Sequence, residues 1–112
     1  MKKTFVAGCG LVLLCGMSHA AAVDRGTCVR IGKAVSETQL AMAGVGGLEG
    51  PREKLIKLRD QAPVMKSELS ALIAVSEKAQ SAALGDADHP MSTGEYDDAE
   101  QAYNKKYREV CE

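Results

Sequence analysis

The stretch Pro51–Leu84, PREKLIKLRDQAPVMKSELSALIAVSEKAQSAAL, decides the fold. Steps of three and four along it pick out Leu55, Leu58, Ala62, Met65, Leu69, Leu72, Ser76, Ala79 and Ala83. All but Ser76 are apolar, which is the seam of a helix that packs on other helices. One residue interrupts it. Pro63 deletes a backbone hydrogen bond and crowds the preceding turn, and it biases Ala62 away from helix. The seam keeps its phase across Pro63, so two outcomes stay open. Either one helix kinks there, or a helix over 51–61 is followed by another over 64–84.

Upstream, Asp24 or Thr27 is placed to cap a helix over 27–44 whose buried stripe reads Cys28, Ile31, Val35, Thr38, Met42 and Val45. Gly44, Gly46, Gly47 and Gly50 end it, and Pro51 opens the next element as a natural first helical residue. Downstream, Gly85–Met91 reads as a loop. Ser92 with Glu95 forms a capping-box pattern opening a helix over 93–111, with Tyr96, Ala99, Tyr103, Tyr107 and Cys111 on one face. Its acids come first and its bases last, which complements the helix dipole. The expectation is an all-α, small antiparallel bundle of three to four helical segments.

The first twenty residues are not expected to belong to that fold. Lys2 and Lys3 precede an uncharged, mostly apolar run from Phe5 to Met17, and Ser18-His19-Ala20 supplies small residues where a signal peptidase reads. The run falls short of the ~20 apolar residues a bilayer span needs. Residues 1–20 are therefore read as a cleaved signal peptide, cut after Ala20 or Ala22, leaving a single helical domain over 23–112. Val6-Ala7-Gly8-Cys9 has the small-residue-then-Cys pattern of a lipoprotein site, but only five residues precede it, too few for an apolar core ahead of the cut. Export implies a periplasmic or secreted protein.

Of 14 Lys and Arg, two lie in this leader, leaving 12 against 15 Asp and Glu and a net charge of −3. That balance argues against a nucleic-acid partner, which would want a basic surface.

Export also leaves Cys28 and Cys111 in an oxidising compartment with one intramolecular pairing available. A plain up-down-up bundle of three helices would hold them ~25 Å apart, whereas bridged Cα atoms lie within ~7 Å. Two arrangements satisfy the bond. A break at Pro63 gives four antiparallel segments that return the C-terminus to the N-terminus. A kink instead gives a rod on which Cys28, level with Lys66, meets Cys111, level with Ser67 or Glu68, at mid-helix. So thin a rod leaves a homodimer as the way to bury its stripes.

The segment Ala102-Tyr103-Asn104-Lys105-Lys106-Tyr107-Arg108 resembles the end of the last helix of the periplasmic four-helix b-type cytochromes. The resemblance implies an exported antiparallel bundle. That family places a haem-ligating histidine where this chain has Asn104, and an axial methionine early in its first helix, where residues 23–41 contain none. The resemblance thus carries topology without haem, and no cofactor is expected.

Three constellations bear on function. Tyr96, Tyr103 and Tyr107 could form an interaction stripe, since tyrosine is favoured at binding hot spots, but they also sit at core spacing. Asp86, Asp88 and His89, with Glu95, Asp97 and Asp98 beyond, form an acidic loop over 86–98 with a single imidazole. As a calcium loop it fails, with Pro90 at a ligand position, Met91 at the glycine position and Asp97 at the twelfth. Asp86, Asp88 and His89 are weak metal candidates only. The basic run Arg52, Lys54, Lys57, Arg59 and Lys66 is broken by Glu53 and Asp60 and reads as a solvated face, with an anionic partner or membrane surface as its sharper meaning. Catalytic residues are not evident. His89 is the only histidine after the leader, both remaining cysteines are committed to the bridge, and no glycine-rich loop joins a strand to a helix. The expectation is a non-enzymatic protein-interaction module of the cell envelope, of inhibitor, immunity or chaperone type, binding another envelope protein. The alternative is a small-ligand or metal carrier using loop 86–98.

Overall fold

Asp24 starts the first helix. Its backbone is extended, and its carboxylate takes the Thr27 N–H at 3.0 Å and the Thr27 hydroxyl at 2.7 Å. From there the computed structural model, which describes residues 23–112, runs through α1 (Arg25–Met42), α2 (Glu49–Gln61), a single 3₁₀ turn (Pro63–Met65), α3 (Lys66–Gln80), the one-turn α4 (Pro90–Thr93) and α5 (Glu95–Cys111). No strand occurs among the described residues. None of the described helices is long and apolar enough to cross a membrane. The expected signal peptide lies outside the described residues.

The helix breaks at Pro63. Ala62 leaves the helical region at φ −134°, ψ 71°, while its N–H closes α2 on the Leu58 carbonyl. Pro63 then opens the 3₁₀ turn, where the missing N–H costs nothing. Side chains show that α2 and α3 run antiparallel. Arg59 donates to Ser70 near the break, and Arg52 donates to Gln80 at the far end. The same logic holds around the bundle. Arg30 meets Gln61 and Lys54 meets Glu37 between α1 and α2; Lys78 meets Glu95 between α3 and α5. The result is an up-down-up-down bundle in which α1 lies on α2, α2 on α3 and α3 on α5. The kinked rod, and with it the reason for expecting a homodimer, is not what forms.

This order brings the start of α1 to the end of α5. The sulfurs of Cys28 and Cys111 lie at disulfide distance, with Cα atoms 5.9 Å apart across a sequence separation of 83. The Tyr107 hydroxyl donates to the Cys28 carbonyl, and the Val23 N–H donates to the Val110 carbonyl, so the junction is hydrogen-bonded on both sides of the bond.

The core follows the seam. Leu55, Met65, Leu69 and Leu72 are fully buried, joined by Ile31 and Met42 from α1 and by Tyr96 and Tyr103 from α5. Of the nine seam positions only Ala83 is exposed, because α3 stops at Gln80 rather than Leu84. Asp86 closes the turn that follows. Its carboxylate accepts the Ala83 N–H at 3.0 Å and its own N–H bonds the Ala83 carbonyl, a local arrangement that competes with helix.

Two other expectations differ in detail. Val45 lies beyond α1 and is exposed, since α1 ends in a Schellman turn: Gly44, at φ +96°, bonds back to Ala41, and Val45 bonds back to Leu40. Ser92 caps nothing. The preceding turn is capped by His89, whose Nδ1 accepts the Met91 N–H, and α5 opens instead through Thr93, whose hydroxyl accepts the Glu95 N–H at 3.2 Å. Gly94 at φ +89° separates the two helices, a turn that the spacing of Ser92 and Glu95 does not reveal.

Candidate functional site

α1 and α2 are consecutive and antiparallel, and each turns one flank of its helix to the same outer groove. On α1 the flank carries Arg30 and Lys33, three residues apart; on α2 it carries Lys54 and Lys57, also three apart. Ala34 and Leu58, both on the buried side of their helices, form the floor, and Gln61 closes one end. The concavity has a volume of about 310 Å³. Its walls hold four cations and no acid, in a chain whose residues after the leader are net acidic.

The cations are held differently. Arg30 is fixed by two neutral acceptors, Thr27 Oγ1 at 3.0 Å and Gln61 Oε1 at 3.2 Å, which orient the guanidinium without cancelling its charge. Lys54 pairs with Glu37 at 2.9 Å. Lys33 and Lys57 enter no ion pair among the described residues. Beyond the Glu37–Lys54 pair the groove continues as an apolar trough lined by Leu40, Val45, Gly46, Gly47 and Pro51. Leu40 and Val45 are 54% and 60% exposed there.

Sequence reading grouped Lys54 and Lys57 with Arg52, Arg59 and Lys66. The fold divides them, because Arg52 and Arg59 turn towards α3 while Lys54 and Lys57 turn towards α1. Arg30 and Lys33, outside that run, complete the groove from α1. The available signal was a cation pair at spacing three on each of two neighbouring helices, and it acquires meaning only once the α1–α2 pairing is known.

The tyrosines take a different place from a continuous exposed stripe. Tyr96 and Tyr103 are 2% and 5% exposed and belong to the core, and Tyr107 is partly buried against α1. Burial pushes the Tyr96 and Tyr103 hydroxyls well above the ordinary tyrosine range; Glu100, which accepts the Tyr96 hydroxyl proton, adds to the effect there. Tyr103 and Tyr107 rings stack tilted at 5.5 Å, which carries the core out to the disulfide.

The acidic loop is absorbed in its own structure. Asp86 accepts the Ala83 N–H in the turn that follows α3, and His89 is buried as the cap of α4. Asp88 is exposed, and no group of three or more His, Cys, Asp or Glu side chains is gathered for a metal among the described residues. Glu95 turns to Lys78, whose two hydrogen bonds, with help from Thr93, hold its carboxyl below the usual glutamate range. Asn104, which stands where the cytochrome resemblance would put a haem ligand, is exposed on α5 and does not face the bundle interior. A second concavity between α3 and α5 is lined by Glu68, Lys105, Lys106 and Glu109, so its charges largely compensate one another.

Comparison with protein-family models, with characterised proteins and with solved structures finds no match to this chain.

Proposed function

We propose that this is an exported, non-enzymatic binding protein of the cell envelope whose contact surface for a partner protein is the α1–α2 groove. The observation that carries the reading is the groove itself: four cations around an apolar floor on two helices of a disulfide-closed bundle. Such a surface recognises. It offers charge, shape and a rigid frame. Export is supported by the leader pattern of residues 1–20 and agrees with a cysteine pair at bonding distance.

Site-specific photo-crosslinking in the native envelope tests it. A photoreactive residue at Gln61, on the groove, is expected to give a discrete adduct with a protein partner, and one at Ala74, exposed on α3, is not. Equal adducts from both positions, or none from Gln61, would remove the groove from the functional account.

A further inference from the structure

We infer that the α1–α2 groove takes a carboxylate-rich peptide segment that is followed by an aliphatic anchor. This inference rests on the binding reading above and names the occupant.

The chemistry is set by three features of one continuous surface. First, the basic half presents Lys33 and Lys57 without ion pairs and Arg30 already oriented by Thr27 and Gln61, so its side-chain entropy is spent before a ligand arrives. Second, the wall already accepts a carboxylate: Glu37 sits 2.9 Å from Lys54 Nζ at the junction of the two halves, an internal copy of the contact the ligand would make. Third, the far half is apolar and open, with Leu40 and Val45 exposed beside the glycine turn. Cations dominate one half of the groove and apolar residues the other, with Lys54 common to both and its partner Glu37 on the apolar side.

Arg30 and Leu40 lie ten positions apart on α1, ~15 Å at the helical rise. An extended chain covers that length in about four or five residues. A short segment with acids at one end and a Leu- or Ile-like side chain at the other matches both halves at once. Concavity favours a chain over a bilayer, which would meet a basic face as a plane and could not follow the groove between the helices.

The test uses the oxidised protein lacking its leader, with a fluorescent amidated peptide of consecutive glutamates followed by leucines. The unaltered protein is expected to bind it. Replacing the glutamates by glutamines, or reversing the wall with Lys33→Glu and Lys57→Glu, is expected to weaken binding about tenfold or more, as should Leu40→Ser with Val45→Ser. All four substituted residues are exposed, and unchanged helical circular dichroism with an unchanged melting transition verifies folding. Phosphatidylglycerol vesicles and inorganic phosphate are expected to leave the peptide in place. Absence of peptide binding, equal affinity for the glutamine peptide, or displacement by vesicles would overturn the inference, the last in favour of a lipid surface. A Gln61 adduct that forms in the envelope and is untouched by the acidic peptide would sink this inference alone. Failure of that adduct to form sinks the binding reading beneath it.

Discussion

Ser76 sits fully buried on α3 with no hydrogen-bond partner for its hydroxyl, although the seam treats its position as apolar. A buried hydroxyl left unpaired loses its water without return, so Ser76→Ala is expected to raise the free energy of unfolding by about 1 kcal/mol in urea denaturation. A loss of stability would show that the hydroxyl is satisfied in solution. Asp24 is the opposite case, an exposed residue whose hydrogen bonds matter. Its bonds to the Thr27 N–H and hydroxyl hold its carboxyl below the ordinary value near 3.8. Folding therefore favours the charged form. The stabilisation is complete above about pH 4 and is lost as pH falls through the lowered value in the folded protein. Asp24→Ala is accordingly expected to lower the melting temperature at neutral pH, with the gap to the unaltered protein closing in acid. A gap that persists unchanged at low pH would mean that the carboxylate is not the cap.

At the scale of the element, α1 depends on how it stops. Gly44 occupies a left-handed conformation, and a Cβ there would also stand 3.1 Å from Leu84 Cδ1. Gly44→Ala is expected to cost about 1–2 kcal/mol, while Gly47→Ala, with open space around it and no such backbone demand, is expected to be close to neutral. Parallel thermal melts of the two variants separate backbone strain from a general effect of shortening loop freedom. The elements also show what the sequence makes legible. Apolar spacing finds the helices and eight of nine seam positions, because burial follows period whatever the ends do. It does not find where α3 stops or how α5 starts, because Asp86, His89 and Thr93 act through local hydrogen bonds that leave no periodic trace. Pro63 is ambiguous for a related reason. The 3₁₀ turn keeps Met65 facing the core, so the seam runs on in phase through a chain reversal.

For the whole molecule, the topology and the groove have one origin. Once α2 and α3 fold back on each other, Cys28 and Cys111 meet, and α1 is fixed alongside α2 with its cations facing Lys54 and Lys57. The groove was illegible in sequence because Arg30 and Lys54 are twenty-four residues apart and each reads locally as a solvated cation. The tyrosines read two ways for a similar reason: recognition and core packing ask for the same residue at the same spacing, and only burial tells them apart. Replacing both Cys28 and Cys111 by serine frees a long loop in the unfolded chain and is expected to cost ~4 kcal/mol. That is a large part of what holds a small domain together, so the double variant should unfold at markedly lower urea concentration.

Non-reducing peptide mapping of the protein taken from its native compartment tests the account most directly, because export, four-segment topology and a fixed groove all meet in one covalent fact. The account predicts a single intramolecular link between Cys28 and Cys111, in a chain that begins at Ala21 or Val23. Free thiols, a link between separate molecules, or a retained leader would contradict it.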